Sequence, residues 1–411
     1  MRKYLAILFK YFGAIKKAFA LLWKDKFTKV YAGIIAFLLL FSFLLFLIFP
    51  DSAHFSETTC LPIGNQPPGF SVKMLRMAEN KPQPVQDFFS ALKFGRPSND
   101  NYIPIISSHF DGTDIVVKEF SASGDSSYES RFNIADVVYP LNQSKKIIEN
   151  NGALSFEKND GSTAEESISV LQGIIDGQNI VIQKFILGTD HMGRDVMSQI
   201  LSATRGTLWA AFIVTFISLV SGFILGILVG LLKGKMRLLG LWLIRSLSST
   251  PAMLLIIAVM FIIGNGFWHV CFVSGLILSF QIAQVIISGI FLKREKKFME
   301  SASALGITRM QILKNYYLTD LFSPVFASVI AIFYAAILVE SSLNFLGIGF
   351  RNNLPSWGGM IRENYGYIFL QGSEYLILIP GLAITVVSML FFSLAKRSHV
   401  SLKKEFNWTL V

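Results

Sequence analysis

The stretch TLWAAFIVTFISLVSGFILGILVGLL, residues 207–232, decides the fold. It contains no charged residue, and it exceeds the roughly 20 mostly apolar residues that a helix needs to cross a bilayer core. A helix satisfies its own backbone hydrogen bonds in lipid, so this run predicts a membrane-spanning helix. The composition agrees, because 52% of the 411 residues are hydrophobic and only 16% are charged. The sequence therefore predicts an integral membrane protein.

Five further apolar stretches are long enough to span a membrane, and they cover residues 30–49, 241–264, 267–292, 325–349 and 375–395. Arg245, Pro251 and Gln281 interrupt the second and third of these, which makes their ends less sharply defined. The first stretch is too long for a cleaved secretory signal and has a long basic leader. We therefore expect an uncleaved anchor and six spans.

The charged residues predict the orientation of these spans. Basic residues dominate the leader, the tail and every second loop, including the loop with Lys233, Lys235 and Arg237. By the positive-inside rule, both termini are expected in the cytoplasm. Acidic residues outnumber basic ones over 51–206, which is expected outside. The net charge of +10 is thus a signal of topology and gives no support for nucleic-acid binding.

Four zones follow from these patterns: a basic leader with the first span (1–50), an extracytoplasmic domain (51–187), a bundle of five spans (188–396) and a cytoplasmic tail (397–411). Prolines mark turns at the start of the outer domain. Strand-like stretches follow at 101–110, 113–122, 132–139 and 179–187. We expect a small α+β or mostly β domain there. The leader is amphipathic and either lies on the inner membrane face or forms a solvated tail.

No pattern of an enzyme or a metal site is present in the sequence. A phosphate-binding G-x-x-x-x-G-K-[ST] loop is absent, so the chain is not expected to bind a nucleotide by itself. The five histidines are scattered, and Cys60 and Cys271 are the only cysteines. We predict no catalytic residue, no metal and no cofactor.

A polar interruption between two spans, ESASALGITRMQILKNYYLTDLFSP at 300–324, contains a small-residue helix that ends at Gly306. An amphipathic stretch follows it. Small side chains allow another protein to approach the backbone closely, so this helix is suited to a groove of a separate cytoplasmic subunit. The alternative is a helix that lies on lipid headgroups. The residues alone leave both open.

This segment resembles the EAA loop of ATP-binding-cassette importer permeases. In that family the loop is a coupling helix that docks on the ATPase. The resemblance implies that this role falls to Glu300, Ser301, Ala302, Ala304, Leu305 and Gly306. The proline that usually follows is replaced by Thr319.

Two more stretches resemble the dipeptide/oligopeptide/nickel permease family, and specifically the second of its two permease subunits. LGTDHMGRDVMSQILSATRGTL, residues 187–208, matches one signature, and VESSLNFLGIGFRNNLPSWGGMI, residues 339–361, matches another. Gln199 stands where an arginine is usual. The outer segment is also longer than the family pattern, and the C-terminal tail differs from it.

The resemblance implies an all-α polytopic membrane protein with six transmembrane helices, the type I importer permease fold, and an extracytoplasmic insertion between helices 1 and 2. It also implies a bacterial inner-membrane subunit that transports and is not an enzyme. The implied partners are a homologous second permease, two cytoplasmic ATPases, an extracytoplasmic solute-binding protein, membrane lipid and a peptide substrate. Oligopeptides are the leading cargo, with dipeptides or nickel chelates as alternatives. A membrane sensor or scaffold is the rival class, and a proton-coupled carrier is a third interpretation.

Three groups of residues carry physical hypotheses beside the resemblance. Gly188, Thr189, Asp190, Gly193, Arg194 and Asp195 suit a turn clamped by an arginine–carboxylate pair, or a contact with the delivery protein or substrate. Glu340 and Trp357 are gate or cavity candidates, although an ion pair within the bundle fits Glu340 equally. Gly222, Gly226 and Gly230 form a small-residue ridge for helix packing or, second, for contact with the other permease.

Overall fold

A computed structural model describes residues 26–48, 59–78, 100–121, 128–150, 152–292, 318–350, 354–367, 369 and 372–406. Secondary-structure elements are numbered within these residues. The chain forms two compact units. The α+β unit comprises Phe43–Ser202 and Glu363–Ile379, and the helical unit comprises Met1–Ser42, Ala203–Arg362 and Pro380–Val411.

The α+β unit follows helix α1 (Lys26–Ile48). Its strands are β1 (Phe70–Met77), β2 (Asn101–Asp111), β3 (Asp114–Glu119), β4 (Glu129–Asn133), β5 (Ile148–Asn150), β6 (Ala153–Glu157), β7 (Thr163–Ser167) and β8 (Ile180–Phe185). Its helices are α2 (Ile134–Val138) and α3 (Ile168–Ile174). Five strands form an antiparallel sheet in the order β4-β3-β2-β1-β8, and β5-β6-β7 form a second sheet. The core between the larger sheet and the helices includes Leu75, Ile105 and Ile175.

The α+β content of this unit agrees with the sequence expectation, but one predicted strand is wrong. Residues 132–139 contain helix α2, and the side chain of Asn133 caps it by accepting a hydrogen bond from the backbone of Ala135. Ile134, Val137 and Val138 favour a strand by propensity, yet Ile134 and Val137 are fully buried at a spacing of three residues, which puts both on one face of a helical turn. Strands β1 and β5–β7 were not predicted.

The remaining helices lie mostly in the helical unit. They are α4 (Val196–Leu231), α5 (Gly234–Ser249), α6 (Ala252–Ile263), α7 (Phe267–Leu292), α8 (Leu318–Phe345), α9 (Trp357–Asn364) and α10 (Tyr375–Phe406). Some end residues of α4, α9 and α10 belong to the α+β unit. Within the described residues, four helices are long and apolar enough to cross a membrane, and they correspond to α4, α7, α8 and α10. The bent pair α5–α6 makes a fifth if it counts as one span. The number of six spans stays a prediction.

The predicted span at 241–264 is not one helix. It is divided between α5 and α6, whose axes differ by 95°. Thr250 and Pro251 lie at the break, and Thr250 has an extended backbone with φ −79° and ψ 137°. Proline lacks the N–H that a continuing helix needs, and it disfavours the helical conformation of the residue before it. The proline therefore ends α5.

Candidate functional site

The turn at 188–195, which we call the Asp190 turn, is built around a carboxylate with no exposed surface. Asp190 Oδ1 accepts hydrogen bonds from the backbone N–H groups of Met192 (3.0 Å) and Arg194 (2.8 Å). Its Oδ2 accepts from Arg194 Nε (2.7 Å) and from Gln199 Nε2 (2.9 Å). A buried carboxylate is tolerated when its lone pairs are filled in this way. Gln199, where the family pattern has arginine, supplies one of these bonds.

Arg194 joins two carboxylates in the α+β unit. Its Nη2 lies 2.7 Å from Asp190 and 2.6 Å from Glu363 Oε2. Burial by itself would lower the pKa of Arg194, but the charge of Asp190 and the hydrogen bond to Glu363 outweigh it and raise the pKa. The guanidinium side chain is only 16% exposed, whereas Glu363 is 53% exposed. Most of the donor capacity of the Arg194 guanidinium is therefore used inside the protein.

Two glycines of the Asp190 turn are required by its backbone. Gly188 and Gly193 have φ of +78° and +75°, a region that other residues enter at a cost. A Cβ at Gly193 would overlap the carbonyl oxygen of Cys60, and one at Gly188 would overlap that of Gln66. The turn thus lies directly against the backbone of residues 60–67. Burial raises the pKa of the Cys60 thiol to about 11, so this thiol stays protonated at neutral pH.

Further hydrogen bonds connect the Asp190 turn with distant parts of the α+β unit. Thr189 Oγ1 donates to the carbonyl of Ile63 (2.5 Å) and accepts from the backbone of Gln66 (2.9 Å). The hydroxyl of Tyr375 lies 2.7 Å from the carbonyl oxygen of Gln66 and 2.6 Å from that of Thr189. The turn therefore holds together three segments that are far apart in sequence.

Asp195 begins α4 as its N-cap. Its carboxylate accepts hydrogen bonds from the backbone N–H groups of Met197 (3.3 Å) and Ser198 (3.0 Å), and from the Ser198 hydroxyl. Burial raises the pKa of Asp195, although the hydrogen bonds from Ser198 and Met197 oppose the shift. A carboxylate in this position satisfies two of the free amides at a helix start.

A second polar cluster, the Glu340 junction, lies in the helical unit and consists of Glu340, Asn344, Thr207, Ser356 and Trp357. Glu340 has no exposed surface. Asn344 Nδ2 donates to its Oε1 (2.6 Å), and the hydroxyls of Thr207 and Ser356 also hydrogen-bond the carboxyl group. No basic residue pairs with it among the described residues. The carboxyl group is enclosed by neutral donors.

The Glu340 junction brings α4, α8 and α9 into direct backbone contact. The backbone N–H of Trp357 donates to Thr207 Oγ1 (3.2 Å). A Cβ at Gly358 would overlap the carbonyl oxygen of Ser341, and one at Gly206 would overlap that of Pro355. Trp357 is 1% exposed. The α9 start is therefore packed between two long helices.

The three ridge glycines all face α7 of the same chain. A Cβ at Gly222 would lie 2.6 Å from the carbonyl oxygen of Ser279. One at Gly226 would lie 2.8 Å from Cβ of Ile286, and one at Gly230 would lie 2.6 Å from Cδ1 of Ile290. The structure places the ridge at an internal helix contact.

Comparisons with known proteins agree on one family. Residues 222–404 match the family described as binding-protein-dependent transport system inner membrane component. The peptide transport system permease protein SapC of Haemophilus influenzae is 30% identical over 212 residues, which are 51% of this chain and 71% of that protein. A putative peptide transport system permease protein of Brucella suis is 26% identical over 204 residues, which are 50% of this chain and 68% of that protein. The chain belongs to the family of binding-protein-dependent transport system inner membrane components.

A structural comparison gives a weaker likeness. The MetNI methionine ABC transporter, solved in inward-facing conformations, aligns with a TM-score of 0.40 and 15% identity. The alignment covers 50% of this chain and 97% of that one.

As a member of the family, the chain is a permease subunit of an ATP-binding-cassette importer and a multi-pass inner membrane protein. Its helical part has the type I importer permease fold with several apolar helices. Permease subunits of this kind are not enzymes themselves.

The structure brings the predicted site residues of this permease into separate clusters. Gly188, Thr189, Asp190, Gly193, Arg194 and Asp195 form one cluster, and Glu340 and Trp357 contribute to another. The predicted coupling residues, Glu300 to Gly306, lie outside the described residues.

Sequence reasoning missed several members of both clusters. Thr207 is the first residue of the apolar run 207–232 and carried no distinct signal of its own. Ser356 lay within a stretch that matched the family. Gln66, Glu363 and Tyr375 had no local signal, because they meet the Asp190 turn only through chain segments more than 100 residues apart.

Replacing Gly226 by Leu should push α4 and α7 of the permease apart. The Cβ position is already 2.8 Å from Ile286 and 3.2 Å from Cα of Ala283, so the larger side chain has no free volume. We expect a loss of roughly 1–3 kcal/mol, seen as a lower thermal unfolding midpoint of the purified subunit in detergent. Gly381→Leu is the matched control, because a Cβ there meets nothing within 4 Å. Equal midpoints for both variants would contradict the internal contact.

Proposed function

We propose that this chain is the second permease subunit of an importer that carries oligopeptides across the bacterial inner membrane. The family match over 222–404 carries the proposal. The relatives from Haemophilus influenzae and Brucella suis are both named as peptide transport permeases, which supports a peptide cargo. Dipeptides and nickel chelates are the alternatives within the family.

The proposed topology has six spans with both termini in the cytoplasm. The helix α1 would be the first span, the α5–α6 pair the third, and the other four long helices would complete the set. The alternation of basic loops supports this orientation. It places the α+β unit outside, where the excess of acidic residues over 51–206 agrees with the same rule.

Coupling would use the helix at 300–306 and the amphipathic segment to residue 322. Closure of two ATPase subunits would move this helix, and the spans would then switch between outward and inward access. The EAA-like pattern and the absence of a nucleotide-binding loop support a separate motor. A homologous permease would form the other half of the path.

The α+β unit would form the docking surface for an extracytoplasmic solute-binding protein. For the Asp190 turn itself, the geometry favours a structural role, in which the turn holds neighbouring chain segments together, over direct contact with that protein or with substrate. Asp190 is fully enclosed and Arg194 is already bonded to two carboxylates, so neither has much capacity for an external ligand.

The decisive experiment changes Gly306 to Trp in the full chain and tests growth of the producing strain. The gene for the unmodified permease is deleted in this strain. A tripeptide is then the only source of an amino acid that the strain requires for growth. We expect Gly306→Trp to abolish growth and to reduce co-purification of the ATPase subunits, because a bulky residue keeps the helix out of its groove. Gly381→Trp, in open space on α10, is the control.

A sensor or scaffold gives the opposite result. It would tolerate Gly306→Trp, and it would not co-purify with an ATPase. Normal growth together with normal ATPase recovery in the Gly306→Trp strain would overturn the proposed coupling.

A further inference from the structure

The start of α5 in the helical unit has an unusual arrangement of charge. Lys233 is the N-cap, and Lys235 and Arg237 follow in the first turn. The positive end of a helix dipole favours acidic residues, so three cations at this end repel the free amides of the helix. No acidic residue occurs anywhere from 196 to 292. The charge of this turn is thus not compensated by the four helices α4–α7.

The two lysines are open to an external anion, and Arg237 is partly exposed. Lys233 and Lys235 are exposed. The guanidinium of Arg237 lies 5.6 Å from the ring centroid of Phe291 in α7, and its Nε is buried without a hydrogen-bond partner within the described residues. None of the three forms an ion pair with another described residue. Donors of an arginine held against a ring and otherwise unpaired are suited to a phosphate.

The next turns of α5 expose apolar side chains beside this basic end. Leu238, Leu239 and Trp242 are 62%, 51% and 63% exposed. Leu241 and Ile244, by contrast, pack against Val229 of α4 and Ile287 of α7. One end of α5 therefore presents cations, and its outer face presents apolar surface. A phospholipid has the complementary pair of features, a phosphate headgroup and acyl chains.

We propose that the first turn of α5 binds the headgroup of an anionic phospholipid, with Lys233, Lys235 and Arg237 around the phosphate and Trp242 beside the acyl chains. Charge complementarity selects this occupant, and the selection rests on the proposed topology, which puts this turn on the cytoplasmic side, where basic clusters at helix ends attract anionic lipid. The bound phosphate also neutralises the unfavourable cations at the helix start.

The test measures the thermal unfolding midpoint of the purified full chain in detergent while dioleoyl phosphatidylglycerol is added. We expect a rise in midpoint that saturates with lipid concentration, and little rise with zwitterionic dioleoyl phosphatidylcholine. The double variant Lys235→Gln/Arg237→Gln should weaken the apparent affinity for phosphatidylglycerol roughly tenfold or more. Arg245→Gln is the matched control, because it removes one charge from the same helix about 12 Å further along its axis.

Further measurements distinguish a lipid headgroup from other sources of the anion. Lys235→Gln alone, at an exposed position, keeps the test valid if the double variant does not fold. Equal stabilisation by both lipids, or equal affinity in wild type and variants, overturns the proposal. Full stabilisation by inorganic phosphate alone indicates a soluble anion and overturns the lipid assignment. Loss of ATPase co-purification in the variants without any effect of phosphatidylglycerol assigns the turn to an acidic protein surface and does the same.

Discussion

Asp190→Ala should prevent normal accumulation of the permease in the membrane. The substitution leaves Gln199 Nε2 and two backbone N–H groups without their acceptor, and it leaves Arg194 with Glu363 alone. Removing one partner of a buried ion pair costs about 3–5 kcal/mol, because the other charge stays buried. For a unit of this size, the thermal unfolding midpoint should fall on the order of 10 °C.

Asp111→Ala is the matched control for this experiment. Asp111 also pairs with an arginine, Arg131, at 3.1 Å, but the two side chains are 59% and 65% exposed. Exposed pairs contribute roughly 0–1 kcal/mol, so the midpoint should change by no more than about 4 °C. Similar losses in both variants would show that the Asp190 turn is not the anchor of its unit.

Glu340→Ala should be as harmful, and Glu340→Gln should be tolerated. Alanine removes one acceptor from the amide of Asn344 and from the hydroxyls of Thr207 and Ser356, and it opens a cavity. Glutamine keeps the shape, its Oε1 can accept from Asn344, and its NH2 group can donate to the hydroxyl oxygens of Thr207 and Ser356. We expect the alanine variant to lose roughly 3 kcal/mol or more, measured by unfolding in detergent, and the glutamine variant to stay within about 1 kcal/mol.

Peptide uptake by the same two variants distinguishes a structural role from a gate. Normal folding and normal uptake in Glu340→Gln are expected if the junction only holds α4, α8 and α9 together. A folded Glu340→Gln protein without uptake would instead show that the acid itself takes part in transport. Glu374→Ala, which removes an exposed carboxylate, controls for the loss of a charge.

Much of the helical part of the permease was predictable from local sequence. Phe267–Leu292 coincides with the predicted stretch. Helix α10 begins at Tyr375 as predicted, and α8 ends at Phe345, close to the predicted end at 349. A long apolar run indicates directly that a helix lies in lipid, because each apolar side chain contributes to the hydropathy of the run independently. The same pattern did not reveal the break within 241–264, where Pro251 ends α5.

The α+β unit was less predictable because its strands depend on partners. Strand β1 pairs with β2 and with β8, which lies more than 100 residues away in the chain. Residues 132–139 have strand propensity, but Ile134–Val138 form a helix whose apolar side chains belong to the core. Short elements of this kind obtain most of their stability from tertiary packing, which no local window contains.

By itself, the sequence determined the membrane class, the separate polar segment, the family motifs and the lack of a nucleotide-binding loop, since each depends on residues that are adjacent in the chain. Only the tertiary structure decided what the motif residues do: that Arg194 bridges Asp190 and Glu363, that Glu340 is enclosed by Thr207 and Ser356, and that the glycine ridge packs on α7. The physical reason is that a hydrogen bond or a close backbone contact depends on distances in space, and folding sets these distances between segments that no sequence pattern connects.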